Sequence, residues 1–441
     1  MVAKKLTVLF TPLNGWGHIN ACHGLASELK RRDHRVVFAI DEAFKGKLEP
    51  FGFEEEIHGD TQPTVTGADG GGSSGGTAEI QEYWPRFMAE NCHYLLEDPI
   101  VIAEKFFLSA ARKMFADSKD REAQYADIIE RVKPDVIVSD NYVDIPAITN
   151  SGIPWIWLFS AAPHLAFLDS RIPPSWSGLP TNGDRKQWQQ FTDKWIELFK
   201  DFQQEISDYC QSRGAPKLED MRLHPISPYL NLYLYPKELD YEELYPMANN
   251  WKRVENFMRI TNDTFSLPSQ LASRPGKLVF LSMGSFGCAN LSLMTRLTTI
   301  LGKSRHRFIV SKGPLFESHD LPDNQWGQRF LPQTAILPLV DLVITHGGNN
   351  TVTETFYYGK PMLVLPLFGD QLDNAQRVEE TGHGLRLNPF KCTDDELLSA
   401  VDRLVADDKL TARMQAIGDR IRSSPDISDV SNFVEDLCQT K

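Results

Sequence analysis

The chain has 441 residues, more than one hydrophobic core usually organises, so two domains of about 200 residues each are expected. Its composition, 41% hydrophobic and 24% charged, excludes a disordered chain and one built from membrane spans. A formal net charge of -13 disfavours nucleic acid or an anionic membrane as partner, because both select Lys/Arg-rich surfaces, and an anionic substrate would need a local binding device.

From the N-terminus, Met1-Val-Ala-Lys-Lys runs straight into a strand-like 6–11, too short for a signal-peptide core. The most apolar stretch, 153–168, is interrupted by Pro154, Pro163 and His164 before a bilayer could be crossed. Six scattered cysteines without C-x-x-C spacing suggest a reduced, cytoplasmic protein.

Short β-branched runs alternate with helical patterns, the signature of parallel sheets covered by helices. In the first half the runs are 6–11, 35–40, 135–139, 155–159 and 230–235; in the second they are 277–282, 307–311, 341–345 and 362–366. The fold class expected is α/β, with two doubly wound Rossmann-like domains over 1–240 and 276–422 and a linker over 241–275. Helical patterns follow at 394–405, 410–422 and 431–438, and the tail 423–441 is expected to pack back on the first domain. The run 67–77, GADGGGSSGGT, cannot pack a core and reads as flexible coil, natural or engineered.

The most informative stretch runs from Phe330 to Gln371. A buried strand, 341–345, is followed at once by His346-Gly347-Gly348-Asn349-Asn350-Thr351 and then by a helical pattern to Tyr358. A glycine turn after a parallel strand puts the N–H groups of a helix start at the sheet's carboxyl edge, where they can hold a diphosphate. Alone, a strand-glycine-helix junction also occurs as plain structure. The Walker pattern and the G-x-G-x-x-G fingerprint are absent, which disfavours ATP and NAD.

This stretch resembles the donor-binding signature of the UDP-glycosyltransferase superfamily, with spacing intact over more than forty residues. The resemblance implies the GT-B arrangement, two Rossmann-like domains facing each other across a cleft. It also implies an inverting transfer from a UDP-sugar, a co-substrate and not a resident cofactor. Phe330 stands where relatives usually carry a uracil-stacking tryptophan, Leu331 would offer its backbone to the base, and Gln333 would lie beside the ribose. Glu354 is similar to the glutamate that grips the ribose hydroxyls, although it also reads as a solvated helix residue. His346, Gly348, Asn350 and Thr351 would contact the diphosphate, with Ser285 of the upstream Ser282-Met-Gly-Ser-Phe286 loop adding a ligand. Asp370 and Gln371 look like the pair that binds the sugar hydroxyls; glutamine there tends to accompany glucose, while galactose and glucuronate stay open.

The first strand ends in Thr11-Pro-Leu-Asn-Gly-Trp-Gly-His18, and a helical pattern covers 19–31. Alone, His18 reads as a helix cap or the filler of a polar hole. In the superfamily this position carries the general base, and histidine suits the task because its pKa lies near neutral. Asp140, at the end of the strand 135–139, resembles the aspartate that pairs with that base; Asp144 lies in a helical pattern and is the lesser candidate. No D-x-D element of metal-dependent glycosyltransferases is found, so no metal is expected.

Acceptor contacts are expected from first-domain loops rich in aromatics and methionine, chiefly Trp16, Trp84, Phe87 and Met88, forming an apolar pocket for a small lipophilic acceptor. Phe106, Phe107, Trp157, Phe159, Phe167 and Trp176 read more simply as core. The expectation is therefore a monomeric, cytoplasmic enzyme transferring glucose from UDP-glucose to a hydroxyl of a flavonoid, macrolide or other xenobiotic. The alternatives are a UDP-sugar epimerase or hydrolase of the same fold, or an inactive UDP-sugar-binding protein.

Overall fold

The computed structural model describes residues 5–59, 90–259, 261–314 and 316–439. The Gly/Ser run 67–77 and the acceptor candidates Trp84, Phe87 and Met88 lie outside them.

Among the described residues, seven parallel strands form the first sheet: β1 (Thr7–Pro12), β2 (Arg35–Asp41), β3 (Glu54–His58), β4 (Val136–Asp140), β5 (Trp155–Phe159), β6 (Leu230–Leu234) and β7 (Trp251–Val254). Their order is β3-β2-β1-β4-β5-β6-β7. Six more form the second: β8 (Leu278–Ser282), β9 (Arg307–Ser311), β10 (Gln325–Gln328), β11 (Leu342–Thr345), β12 (Met362–Val364) and β13 (Gly384–Arg386), ordered β10-β9-β8-β11-β12-β13. Helices cover both faces of a parallel sheet, so the central strands are buried along their length, including polar positions such as Asp140 and Asn231. Thus β4, β5, β6, β8 and β11 are buried at every position.

The main helices are α1 (Trp16–Arg31), α2 (Leu108–Val132), α3 (Arg185–Ser212), α4 (Leu291–Leu301), α5 (Asn349–Tyr357), α6 (Asp370–Glu380), α7 (Asp394–Val405), α8 (Asp408–Arg422) and α9 (Asp426–Gln439). The start of α7 is written in sequence: Thr393 and Glu396 form a reciprocal capping box. Val430, Val434 and Cys438 of α9 are buried in the cluster that holds Leu25 and Leu29 of α1, and Arg32 ties Ser428 and Glu435 to it.

Two expectations are corrected. The stretch 241–275 was expected as a linker, yet β7 lies in it and pairs with β6, so part of it is sheet. Trp251 and Val254 are buried there while Lys252 and Arg253 are half-buried, a mixed pattern that hides an edge strand. Asp144 is not helical; it lies in the loop before the turn Pro146–Thr149 and accepts a hydrogen bond from Thr149 Oγ1 at 2.7 Å.

Each sheet reverses its winding once, between β1 and β4 in the first and between β8 and β11 in the second. At such a switch point the flanking loops diverge and leave a crevice beyond the carboxyl ends of the strands. The two domains meet at this edge, and one hydrophobic cluster spans both, from Leu9 and Phe159 to Phe280 and Val364. Buried Arg377 of α6 crosses the boundary, donating from Nε to the Leu239 carbonyl at 2.8 Å with its guanidinium 4.6 Å from the Tyr241 ring centroid. Arg420 of α8 pairs with Glu255 at 2.5 Å and Glu238 at 2.9 Å.

Candidate active site

Both switch points carry polar side chains that face each other. In the first domain, Pro12 and Asp140 are register partners at the ends of β1 and β4, and α1 begins four residues beyond β1. That geometry sets His18, in the first turn of α1, against Asp140: His18 Nδ1 and Asp140 Oδ2 are 2.8 Å apart. Asp140 is fully buried and the His18 side chain is 16% exposed. A carboxylate accepts, so Nδ1 carries the proton and Nε2 keeps its lone pair, the tautomer a general base requires. Ser160, the residue after β5, places Oγ 3.1 Å from the same Nδ1, and the Tyr142 ring stands edge-on to the imidazole at 5.1 Å.

In the second domain, β11 leads through His346 and Gly347 to Gly348, the N-cap of α5. Gly347 has φ +86, a left-handed conformation that glycine adopts freely. No side chain caps α5 and no acidic residue occupies its first turn, so its leading N–H groups keep their capacity for an anion. His346 is closely packed: a Cβ on Gly284 would stand 2.5 Å from its imidazole, and one on Gly348 would collide with the same ring. Burial pushes the His346 pKa down to about 4, so the ring is neutral at pH 7. Exposed Ser285 follows Gly284 in the turn Gly284–Gly287 after β8.

Further along α5, Glu354 is buried, not solvated as its place in the helix allowed. Gln333 Nε2 donates to Glu354 Oε2 at 2.6 Å and reaches Thr351 Oγ1 at 3.5 Å, while Arg259 pairs with Glu354 Oε1 at 3.1 Å. Gln333 opens the turn Gln333–Ile336, just beyond half-buried Leu331 and Phe330, whose ring is 70% exposed.

The two halves touch. Asn350 Nδ2 donates to the Gly17 carbonyl at 2.6 Å, and Asn349 Nδ2 donates to the carbonyls of Ser160 at 2.8 Å and Leu234 at 2.7 Å. Asp370, first residue of α6, accepts from the Ala162 N–H at 3.1 Å, and its pKa is pushed up to about 6, chiefly by burial. Gln371 turns back: its Oε1 accepts from the N–H groups of Leu367 at 3.0 Å and Phe368 at 3.4 Å. Trp16 is 44% exposed and leans edge-on against Phe44 at 5.2 Å. Phe106, Phe107, Trp157, Phe159, Phe167 and Trp176 are buried.

Sequence reasoning missed Ser160, Arg259 and Asn349. Ser160 had a signal, since it directly follows an apolar strand and so sits at the carboxyl edge. Arg259, ninety-five positions before Glu354, had none. Among the described residues, no group of three His, Cys, Asp or Glu side chains is placed to hold a metal ion.

Two doubly wound domains that face each other, one bearing a His-Asp pair and the other an uncapped glycine-led helix, define the GT-B class of fold. Residues 278–416, which lie in the second domain, match the family described as UDP-glucoronosyl and UDP-glucosyl transferase. UDP-glucuronosyltransferase 1A6 of Oryctolagus cuniculus is 40% identical over 90 residues, a stretch that covers 20% of this chain and 17% of that protein. The chain thus spans less than a fifth of the length of the curated relatives it matches. The whole fold is similar to the glycotransferase of kitacinnamycin, with TM-score 0.68 and 19% identity over 98% of this chain and 99% of that one. It is also similar to the glycosyltransferase VinC in complex with DTDP, with TM-score 0.65 and 18% identity over 99% and 100%. Among the described residues, no helix is long and apolar enough to cross a membrane.

Proposed function

We propose that this protein transfers a sugar, glucose in the first instance, from a UDP-sugar to a hydroxyl of a small lipophilic acceptor, with inversion and without a metal. The observation that carries the reading is the His18-Asp140 pair at 2.8 Å, on the domain opposite the uncapped start of α5. The reaction is a single displacement. His18 Nε2 takes the acceptor O–H proton as that oxygen bonds to the anomeric carbon, and the bond from that carbon to the β-phosphate oxygen breaks. Its electron pair leaves with UDP, where the N–H groups of Asn349, Asn350 and Thr351 meet the growing charge. Asp140 stays ionised and stabilises the imidazolium.

Phe330 stacks on uracil, Glu354 with Gln333 receives the ribose, and Asp370 with Gln371 meets the sugar. Trp16 borders the acceptor. The names of similar proteins support a nucleotide-sugar chemistry: VinC was captured with DTDP, and the rabbit relative is a glucuronosyltransferase.

The test is to incubate the protein with UDP-glucose, excess EDTA and a polyhydroxylated flavonoid, beside a His18→Ala control, and to follow products by mass spectrometry. Glycoside from the wild type and almost none from the variant is the expected result; UDP-glucuronate and UDP-galactose in parallel identify the sugar. Free or epimerised sugar, or UDP-glucose binding with no product across a broad acceptor panel, would overturn the reading.

A further inference from the structure

The residue that joins the two halves of the site most directly is one that no motif points to. Ser160 is 7% exposed and uses both of its polar ends. Its Oγ lies 3.1 Å from His18 Nδ1, beside the 2.8 Å contact of that nitrogen with Asp140. Its carbonyl accepts from Asn349 Nδ2, at the start of α5, at 2.8 Å. Two residues on, the Ala162 N–H is held by Asp370 at 3.1 Å. The backbone that carries the Ser160 hydroxyl is therefore fixed by the second domain, while the hydroxyl itself rests on the imidazole of the first.

Asp140 alone can keep a proton on Nδ1, but one carboxylate oxygen leaves the ring free to swing about that contact. A second oxygen on the same nitrogen, approaching from β5 where Asp140 approaches from β4, removes that freedom. Tyr142 completes the enclosure: its ring stands edge-on to His18 at 5.1 Å, and burial beside Asp370 and Asp140 keeps its pKa well above the ordinary tyrosine value. The titratable groups facing His18 are thus Asp140 and Tyr142 from the first domain and Asp370 from the second. Cys22, one turn further along α1, faces Asp140 and is held protonated by burial.

We propose that Ser160 is a positioning residue for His18, its hydroxyl fixing the imidazole so that Nε2 meets the acceptor oxygen. The assignment rests on the transferase reading for its catalytic meaning, but the side-chain geometry stands without it. Ser160 Oγ reaches His18 at Nδ1, so its loss is expected to fall on kcat more than on the KM for the UDP-sugar.

The experiment compares wild type, Ser160→Ala and Ser160→Thr in three readouts: kcat and KM for UDP-glucose, the pH profile of kcat/KM, and the NMR titration of the His18 ring nitrogens without substrates. In Ser160→Ala, kcat is expected to fall about tenfold with the donor KM within about twofold, the size of one lost hydrogen bond to a transition-state group. The acidic limb of the profile and the His18 titration should move together, and Ser160→Thr, which keeps the hydroxyl, should restore both. Unchanged kcat and coincident His18 titrations would overturn the proposal. So would a parallel loss of kcat and donor affinity that threonine does not mend, which would mark a structural role. A wild type that makes no glycoside fails the transferase reading, while the substrate-free titration still decides whether Ser160 governs the imidazole.

Discussion

Asp370 reaches across the cleft to accept a hydrogen bond from the Ala162 N–H at 3.1 Å, so a residue expected to meet the donor sugar also holds the first domain. Burial raises its pKa to about 6. An unfolded aspartate titrates near 4, so between about pH 4 and 6 the folded state holds a proton that the unfolded chain has released. Stability from this group is therefore present at low pH and lost as pH rises through about 6.

Asp370→Asn removes that titration. The difference in unfolding free energy between variant and wild type should grow in the variant's favour from about pH 4 to 6 and be flat above, by on the order of 1–2 kcal/mol after solvent screening. Urea unfolding at several pH values checks it. A difference curve flat over the whole range would mean that Asp370 titrates normally.

Asp140→Asn tests the tautomer. A carboxylate can only accept from His18 Nδ1, whereas a carboxamide can turn its NH2 toward that nitrogen and drive the proton to Nε2, where it blocks base catalysis. The expected loss in kcat is about 10²- to 10⁴-fold, with UDP-glucose affinity unchanged because Asp140 lies in the opposite domain. Steady-state kinetics and calorimetric donor binding separate the two; a fall in donor affinity as large as that in kcat would contradict the assignment.

Phe330 is 70% exposed, so truncating it removes little folded-state packing. If it is the uracil platform, Phe330→Ala should weaken UDP binding by about 1–3 kcal/mol and leave the melting temperature near the wild-type value. Phe330→Trp, with a larger face, should bind at least as tightly. Isothermal titration with UDP decides the matter, and an alanine variant that binds normally would place the base elsewhere.

The strands that sequence periodicity found are the interior ones. The four it missed, β3, β7, β10 and β13, are the outer strands of both sheets. An edge strand pairs on one side only and is less covered, so it needs no apolar run: β3 reads EEEIH and β10 reads QWGQ. The same logic governs the site. The places of His18, Asp140 and the His346–Thr351 turn at the carboxyl edges were legible because each follows or ends an apolar strand, whereas the roles expected of them came from the family resemblance; their convergence follows from winding reversals that strand order alone creates. Ser160 on His18, Arg259 on Glu354 and Asn349 on the Ser160 carbonyl are tertiary meetings between elements far apart in the chain; local pattern places Ser160 at the carboxyl edge but names none of these partners.

His346 and its flanking glycines give the sharpest test of the diphosphate cradle. Gly348 has an ordinary helical-entry backbone, φ -60 and ψ 138, so alanine there costs nothing in conformation. What it meets is the His346 imidazole, which fills the space a Cβ would take. Gly348→Ala should therefore displace the ring and weaken UDP-glucose binding by about tenfold or more, since a neutral donor is moved off its target. His346→Ala should weaken binding through loss of the same donor. If both act on one contact, the double variant should bind nearly as well as His346→Ala alone, because the collision disappears with the ring. Fully additive losses in the double variant would show that the methyl blocks the helix start directly, with the imidazole standing apart from the phosphates.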